Sequence, residues 1–348
     1  IFRHGDRSPI VTYPNDIYTE ESWPDGFGEL TSLGKKQQYE LGKYLRSKYT
    51  GFLSAAYKPH EVYVRSTDID RAIMSAQSCL AGLYPPTDKQ IWNPNIEWQP
   101  VPVHTVKQSE DNLLIMPYRN CPRYEELLSK TSGSEEYRQL LEPYLDFLNK
   151  LANYTGFTLE DLYEGSTLST YDTLFAEVSN IDFFMVLIWA TKETMDKLEY
   201  LAEIACAATF GIYQHEEKSK LQGGVVVKAI LKEITDITEQ PSSARKLLIY
   251  SAHDSTLNGL LMALDIHNTK LIPYNACLFF ELHKDDKGHY TIEMSYRNDT
   301  SKDPHQLTLR GCSFSCPLET FIKLTSPIII DDWKSACGII PENKGMFT

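Results

Sequence analysis

Close to its start the chain carries the segment Arg3-His4-Gly5-Asp6-Arg7-Ser8-Pro9, at a place where a β-strand is expected to end. Two arginines and a histidine lie within five residues, beside a glycine that would let the backbone approach a ligand. Arginine suits phosphate because its planar guanidinium group donates paired hydrogen bonds to phosphoryl oxygens. An isolated segment of this kind is more often a solvated basic turn, so its interpretation as a phosphate cradle depends on the rest of the chain.

Two further segments place polar side chains where a predicted strand gives way to a predicted helix. They are Ser251-Ala252-His253-Asp254-Ser255-Thr256 and Val64-Arg65-Ser66-Thr67-Asp68-Ile69-Asp70-Arg71. In doubly wound sheets ligands bind beyond the carboxyl ends of the strands, where helix N-termini attract anions. An arginine in the first turn of a helix is poorly placed for the helix dipole, so Arg71 is either exposed or contacts an anion. We take Arg71 as a candidate anion ligand, whereas Arg65 is equally well explained as a structural ion-pair partner.

The hydrophobic periodicity predicts a layered α/β fold with a mixed, mostly parallel sheet flanked by helices. Thr31 is a candidate helix N-cap. Strands are predicted at residues 61–65 and 246–251, helices at 35–49, 68–83 and 256–264, and antiparallel edge strands at 277–282 and 290–296.

The middle of the chain has a different pattern. Residues 101–221 lack convincing strands and contain helical candidates at 134–153 and 192–222. We therefore predict an α/β catalytic domain formed by residues 1–100 and 222–348, with residues 101–221 inserted as a smaller, mainly helical cap.

The composition excludes some classes of function. The 348 residues are 42% hydrophobic, which supplies a core, and 34 Lys and Arg against 47 Asp and Glu give a net charge of −13. A basic surface for nucleic acid is therefore not expected. A membrane helix needs about 18 to 20 apolar residues, and the longest run here, residues 183–190, has eight. The chain is expected to be soluble, and a signal peptide or membrane anchor would lie outside residues 1–348.

The cysteines and two glycosylation sequons favour the secretory pathway, with a lysosomal or secreted location. The seven cysteines, an odd number, are Cys79, Cys121, Cys206, Cys277, Cys312, Cys316 and Cys337. The short segment from Cys312 to Cys316 favours a loop disulfide over a metal site. The sequons begin at Asn153 and Asn298, and each alone is weak evidence, because such triplets also arise by chance.

Taken together, these segments resemble the histidine acid phosphatase family, in particular its animal prostatic, lysosomal and testicular type. The family's two defining motifs match residues 3–9 and His253-Asp254. The likeness covers essentially the whole chain. It continues through Trp23-Pro-Asp-Gly-Phe-Gly28, Arg65-Ser-Thr-Asp68, Trp98-Gln-Pro-Val-Pro-Val-His-Thr105, Leu221-Gln-Gly-Gly224 and Gly311-Cys312 to Cys316-Pro-Leu318.

The resemblance implies a phosphoglycerate mutase-like fold and a phosphatase that needs neither a metal ion nor another cofactor. His4 would attack phosphorus and carry the phosphoryl group, and Asp254 would protonate the leaving group. The phosphoryl oxygens would be held by Arg3, Arg7, Arg71 and His253. Because free Asp has a pKa of about 3.9, Asp254 would be protonated more often at acid pH or would need an environment that raises its pKa, which predicts an acid optimum. Small phosphomonoesters are the expected substrates, with phosphoproteins and nucleotides as candidates.

The resemblance also implies two disulfides and a homodimer. The cysteines would pair as Cys121 with Cys337 and Cys312 with Cys316, and the dimer interface would contain Trp98 and His104. A third family disulfide would involve Cys277, but its partner position is Ala176 here. Cys79 and Cys206 are expected to be buried thiols.

Two other features differ from the family. Thr167 stands where the family has a tryptophan in its substrate pocket, so we expect weaker binding of aryl and nucleoside leaving groups. Residues 181–188 are unusually apolar, which is typical of an interaction surface or of a segment prone to aggregate.

Two alternative functions remain open from the sequence. One is the phytase or mutase chemistry of the wider superfamily, although phytate would require a more basic pocket than the sequence indicates. The other is a secreted or lumenal binding glycoprotein with little activity, which the changes at residues 167 and 176 would allow.

Overall fold

The computed structural model describes residues 1–115, 120–180, 187–240 and 245–339. A seven-stranded sheet forms its centre, in the order β2-β3-β1-β4-β5-β6, and β7 pairs with β5. The strands are β1 (Phe2–Arg3), β2 (Val62–Ser66), β3 (Leu247–Ala252), β4 (Cys277–Lys284), β5 (Tyr290–Arg297), β6 (His305–Leu307) and β7 (Cys316–Pro317).

The helices that accompany this sheet are given in chain order. They are α1 (Ser32–Lys48), α2 (Asp70–Leu83), α3 (Pro122–Ser132), α4 (Glu135–Leu141), α5 (Leu145–Thr155), α6 (Leu159–Asp161), α7 (Thr167–Asn180), α8 (Lys192–Phe210), α9 (His215–Leu221), α10 (Gly223–Glu239), α11 (Asp254–Ala263), α12 (Leu318–Thr325) and α13 (Trp333–Ala336). The mixed sheet flanked by helices confirms the predicted α/β class.

The expectation that the sheet is mostly parallel is wrong for the strands described. Only the pairings of β3 with β1 and with β2 are parallel, whereas β1–β4, β4–β5, β5–β6 and β5–β7 are antiparallel. Parallel neighbours need a long crossover, usually a helix, while antiparallel neighbours can be joined by a short turn. After α11 the chain forms such a hairpin, turning between Lys284 and Tyr290, and this half of the sheet is therefore antiparallel.

The predicted helices agree with the structure except in the middle of the chain. Thr31 caps α1 as expected, because its hydroxyl oxygen accepts a hydrogen bond from Gly34 N–H. The single helix expected over residues 134–153 is interrupted by a 3₁₀ turn that contains Pro143, since proline lacks the N–H that a helix interior requires. The helix expected over residues 192–222 is divided into α8 and α9, with Tyr213 and Gln214 in left-handed backbone conformations between them.

Helices cover both faces of the sheet and bury its apolar side chains. On one face Phe2 and Val64 pack with Leu41 and Leu80 of α1 and α2. The other face packs against α10, α11 and α12. Helices α4, α5, α7 and α8 share a separate core that includes Leu148, Leu174, Leu198 and Leu201. The proposed domain boundaries at residues 100 and 222 stay a prediction.

The two ends of β1 have different surroundings. Its carboxyl end leads into the segment that begins at His4. Its amino end borders an apolar cavity of about 710 Å³, lined among others by Ile1, Phe52, Ile234 and Phe279. None of the helices in the described ranges combines the length and the apolar character that crossing a membrane requires.

Candidate active site

His4 lies immediately after β1 and is held by the backbone of two neighbouring segments. Its N–H donates to the Ala252 carbonyl at 3.0 Å, and its own carbonyl accepts from Asn275 N–H at 3.1 Å. The side chain is 2% exposed, and its Nδ1 lies 2.8 Å from the Gly5 carbonyl oxygen. Because a carbonyl can only accept, Nδ1 carries the proton and Nε2 keeps a free lone pair.

Gly5 is explained by packing against helix α1 rather than by the approach of a ligand. A Cβ atom at Gly5 would lie 2.4 Å from the Gly34 carbonyl oxygen, and one at Gly34 would lie 2.1 Å from the Asp6 carbonyl oxygen. Either distance is too short for a side chain. The two glycines therefore let the loop after β1 lie directly on the start of α1, which fixes the position of His4.

His253 and Asp254 come from the adjacent strand β3, where the chain enters α11. His253 is the N-cap of this helix, and its Nε2 lies 2.9 Å from Thr67 Oγ1 in the turn after β2. The His4 and His253 ring centroids are 5.4 Å apart. Asp254 Oδ2 lies 2.9 Å from Arg3 Nη2, and its side chain is 38% exposed. The nucleophile and acid predicted from two distant segments therefore share one edge of the sheet.

Three arginines surround these groups. Arg3 and Arg7 are buried, and Arg71 is half-buried in the first turn of α2. Arg7 Nη2 binds Asp172 Oδ1 at 2.9 Å, while Arg71 Nη1 donates to the Gly28 carbonyl at 3.3 Å. We call the set Arg3, His4, Arg7, Arg71, His253 and Asp254 the cradle.

The arginines of the cradle retain unused hydrogen-bonding capacity. The Nε atoms of Arg3, Arg7 and Arg71 are buried and have no hydrogen-bond partner within the described ranges. Two of these three guanidinium groups form ion pairs, Arg3 with Asp254 and Arg7 with Asp172. The cradle is therefore suited to an anion that can accept several hydrogen bonds.

The surroundings keep both histidines of the cradle neutral. Burial lowers the pKa of His4 well below its usual value, and the charges of Arg3, His253, Arg71 and Arg7 lower it further. Burial also lowers the pKa of His253, with Arg71 as the next cause. A neutral imidazole has the free lone pair that a nucleophile requires, so His4 keeps this capacity even in acid solution.

Asp254 shows the opposite response to its charged neighbours. Burial opposes its ionisation, but the charges of Arg3 and Arg7 and a hydrogen bond from Ser255 N–H lower its pKa below the usual value. The side chains of the cradle alone therefore do not raise the pKa of Asp254. Arg71 stays protonated, although burial and the nearby Arg7 lower its pKa to about 10.

The comparisons with known proteins agree with this geometry. The family model of the histidine phosphatase superfamily (branch 2) matches residues 1–297. This chain belongs to that superfamily. The family that the sequence motifs indicated is thereby confirmed.

Curated members of the histidine phosphatase superfamily resemble the chain over nearly its whole length. Prostatic acid phosphatase from Bos taurus is 51% identical over 339 residues, which is 97% of this chain and 86% of that protein. Lysosomal acid phosphatase from Homo sapiens is 48% identical over 339 residues, 97% of this chain and 79% of that protein.

Solved structures of phytases share the fold. The phytase from Citrobacter braakii superposes with a TM-score of 0.69 and 18% identity, covering 96% of this chain and 97% of its own. The phytase from Klebsiella sp ASR1 gives a TM-score of 0.70 at 18% identity, and the match covers 95% of this chain and 96% of the phytase. At this level of identity the likeness concerns the fold only.

Sequence reasoning missed two residues beside the cradle of this histidine phosphatase. Asp172 on α7 pairs with Arg7, and the ring of Tyr274 lies 4.1 Å from the Arg3 guanidinium carbon. Neither belongs to a motif at a strand end. Asp172 is 165 residues away from Arg7 in the chain, and the only signal available was its place in the stretch Tyr171-Asp-Thr-Leu-Phe175, directly before the altered position Ala176.

Residues expected to have structural roles are also placed by the fold. Arg65 forms the structural ion pair considered for it, with Asp111 at 2.5 Å. Both disulfides implied by the resemblance are present, Cys121–Cys337 and Cys312–Cys316. The free, buried cysteines are Cys79, Cys206 and Cys277.

The predicted glycosylation and dimer residues lie away from the cradle. Asn153 is exposed near the end of α5, and Asn298 is half-buried directly after β5. Trp98 is 40% exposed, while the exposed His104 stacks on Tyr63 of β2 with ring centroids 5.0 Å apart. Their roles in glycosylation and dimerisation stay predictions.

The two departures from the family are only partly described. Thr167 begins α7 and is 1% exposed, so its side chain belongs to the interior of the helical region. Of the apolar segment 181–188, residues 181–186 lie outside the described residues. Ile188 is almost fully exposed.

No metal site stands out among the residues of this histidine phosphatase that the structure describes. Within those ranges, no cluster of three or more His, Cys, Asp or Glu side chains could hold a metal ion. The charges that could neutralise a phosphoryl group are instead those of the arginines.

Proposed function

We propose that this chain is an acid phosphatase that hydrolyses phosphate monoesters through a phosphohistidine at His4. The observation that carries this proposal is the arrangement of three guanidinium groups, each with an unpaired buried Nε, around a neutral imidazole. The carboxylates of Asp254 and Asp172 compensate two of the three guanidinium charges. One positive charge is therefore left uncompensated. A phosphoryl group would complete both the charge balance and the missing hydrogen bonds.

The first step is attack of the His4 Nε2 lone pair on phosphorus, in line with the ester oxygen. The N–P bond forms while the P–O bond to the leaving group breaks with its electron pair. Asp254 gives a proton to the departing oxygen, so that an alcohol leaves. The arginines stabilise the charge that spreads over the three remaining oxygens.

The second step returns the enzyme to its starting state. A water molecule attacks the phosphorus of the phosphohistidine and gives one proton to the Asp254 carboxylate. The N–P bond breaks, its electron pair returns to His4, and Asp254 passes its proton to the departing inorganic phosphate, so that the carboxylate is ionised again. We assign His253, whose Nε2 lies 2.9 Å from Thr67 Oγ1, to the group of side chains that surround the phosphoryl oxygens in both steps.

The lowered pKa of Asp254 requires a source for the proton of the first step. A phosphate monoester has a second pKa of about 6, so below this pH it binds as a monoanion that carries one proton. Transfer of that proton to Asp254 on binding supplies the acid. We therefore expect activity with an acid optimum that reflects the protonation of the substrate as well as that of the enzyme.

A location in the lysosome or outside the cell fits this chemistry. The similar proteins are named prostatic and lysosomal acid phosphatases. The two disulfides are typical of proteins that fold in the secretory pathway. An acidic lumen would also provide substrates in their monoanionic form.

A homodimer would use the segment beside the edge strand β2. Trp92 and Trp98 are 56% and 40% exposed there, and the indole N–H of Trp92 donates to the Trp98 carbonyl at 2.7 Å. Large exposed aromatic side chains are enriched at interfaces. Light scattering coupled to size exclusion should give twice the monomer mass, and Trp98→Ala should shift it toward the monomer. A monomeric native chain would contradict the assignment.

The catalytic proposal is tested by hydrolysis of p-nitrophenyl phosphate from pH 4 to 8 in the presence of EDTA. His4→Ala should reduce kcat by about 10³-fold or more, because no covalent intermediate can form. The control is His283→Ala, which removes a half-exposed imidazole on β4 that pairs with Glu293. Acid-labile, alkali-stable phosphate should be trapped on the native chain and not on His4→Ala. Full activity of His4→Ala would refute the mechanism.

A further inference from the structure

The ring of Tyr274 forms a wall directly beside the nucleophile. Its centroid lies 4.1 Å from the Arg3 guanidinium carbon and 5.7 Å from that of Arg7. The His4 ring centroid is 5.8 Å away. The arginines that would hold the phosphoryl group are thus bordered by an aromatic face, in a geometry typical of cation–π contacts.

A second ring extends this wall outward. Phe175 lies on α7 with its ring centroid 6.1 Å from that of Tyr274 and tilted by 45°. It follows Asp172 by three residues, so both lie on the same face of the helix, and Asp172 is bonded to Arg7. The ion pair therefore fixes the side of α7 that carries Phe175 against the cradle.

Phe175 is accessible although it contacts buried groups. Its side chain is 41% exposed, whereas Thr167 at the start of the same helix is 1% exposed. The described part of α7 therefore offers an accessible aromatic ring at residue 175, whereas residue 167 is a buried threonine. Rings that meet at an angle, as here, can add an edge-to-face or offset contact to a third ring.

The position of Asp254, the proposed proton donor, determines the direction in which the leaving group departs. Its oxygen has to stay within hydrogen-bonding distance of Asp254, which is bonded to Arg3. Arg3 in turn is covered by Tyr274. The remainder of the leaving group thus starts beside the Tyr274 ring and reaches solvent past Phe175.

We propose that Phe175 and Tyr274 form the surface against which the leaving group packs and that Phe175 selects monoesters with an aromatic leaving group. This inference rests on the proposed function. A planar ring gains stacking contacts with Phe175, whereas a short hydroxylated chain such as glycerol gains little and loses water. The side chain at residue 175 would then set the preference between these substrate classes, while the cradle sets the common chemistry.

The test compares phenyl phosphate with 2-glycerophosphate for the native chain and for Phe175→Leu. Aromatic pairs contribute about 0.5 to 1.5 kcal/mol, so kcat/KM for phenyl phosphate should fall about 2- to 10-fold through a higher KM. Hydrolysis of 2-glycerophosphate should change less than about 2-fold on the same basis. Phe175→Tyr should keep the native ratio because it keeps the ring.

Phe52→Leu is the matched control, since it makes the same change at an exposed phenylalanine beside the cavity at the amino end of β1. An equal fall for both substrates in Phe175→Leu, or an unchanged ratio, would overturn the inference. Thermal unfolding of each variant shows whether the fold is retained. If the native chain hydrolyses neither substrate, the proposed function itself fails, and this outcome is distinct from an unchanged ratio.

Discussion

The cradle and helix α7 meet at one ion pair but are built on different principles. The cradle is formed at the ends of strands and at helix starts, with buried charges and backbone contacts that fix each side chain. Helix α7 belongs to the mainly helical region and contributes one carboxylate, Asp172, and a half-exposed ring, Phe175. Under the functions proposed above, the sheet supplies the chemistry, while α7 balances the charge and selects the leaving group.

Apart from removal of the nucleophile itself, the largest expected effect is the loss of a guanidinium group from the cradle. Arg7→Lys keeps the positive charge but removes the planar fork that can bind two phosphoryl oxygens. We expect kcat/KM for p-nitrophenyl phosphate to fall about 10²- to 10³-fold, the usual cost of losing a transition-state hydrogen-bond donor. The control is Arg123→Lys, at a surface arginine paired with Glu217. A fall below 10-fold would indicate that Arg7 serves mainly to hold Asp172.

A smaller effect is expected when the ion pair between Arg7 of the cradle and Asp172 of α7 is changed. Asp172→Asn keeps a hydrogen-bond acceptor for Arg7 but removes the charge. We expect kcat/KM to fall about 10-fold, because Arg7 loses orientation, and inorganic phosphate to inhibit more strongly, because the cradle becomes more positive. Inhibition constants for phosphate measure the second effect. Weaker inhibition by phosphate would contradict this account, and Asp196→Asn on the surface of α8 serves as the control.

Helix α7 should also make stability depend on pH. Glu177 is 5% exposed, and burial, followed by the charge of Asp16 and a hydrogen bond with it, raises its pKa. Burial likewise raises the pKa of Asp16, and Tyr13 and Tyr18 are the other ionisable groups nearby.

The sign of the pH effect follows from the raised pKa. The pKa of Glu177 in the unfolded chain is about 4.3. Below this pH, Glu177 is protonated in both the folded and the unfolded chain, and its full contribution to the free energy of unfolding is present. As pH rises from there toward the folded pKa, only the unfolded chain ionises, and stability falls by about 1.4 kcal/mol per pH unit.

The test compares stability between pH 5 and 8. Glu177→Gln removes this titration, so urea unfolding of the variant should depend less on pH than that of the native chain. Glu193→Gln, at a surface pair on α8, is the control. If the free energy of unfolding depends equally on pH for the native chain and for Glu177→Gln, the pair of Glu177 and Asp16 does not titrate between pH 5 and 8.

The smallest effect is expected from the hydroxyl group of Tyr274. Its oxygen is buried and has no hydrogen-bond partner in the described ranges, whereas its ring contacts Arg3 and Phe175. Tyr274→Phe should therefore change kcat/KM less than about 2-fold for both aryl and alkyl phosphates. A loss of 10-fold or more would show that the hydroxyl group binds the phosphoryl group directly.

Much of the cradle could be anticipated because its residues follow strands. His4 follows β1, and Asp254 follows the parallel strand β3, so their meeting is a consequence of the register between Phe2 and Ser251. The class of fold was predicted from hydrophobic periodicity, but the direction of the later strands was not. A hairpin and a crossover differ in connection length and handedness, and periodicity within a strand reports neither.

The residues beside the cradle could not be predicted in the same way. Asp172 and Phe175 lie on a helix with no motif, and their approach to Arg7 and Tyr274 depends on how the helical region packs against the sheet. Gly5 was assigned to ligand approach, but the carbonyl oxygen that excludes a side chain there belongs to Gly34. A sequence shows which residues are small or charged, and not which atoms will lie opposite them.

The sequence by itself determined the family and the α/β class and predicted the six residues of the cradle, because local motifs at strand ends carry that information over a few residues each. Only the tertiary structure decided that Asp172 compensates Arg7, that Tyr274 covers Arg3 and that Asp254 is more acidic than a free aspartate. The physical reason is that charge compensation and burial are sums over neighbours in space, and most of these neighbours lie more than 150 residues apart in the chain.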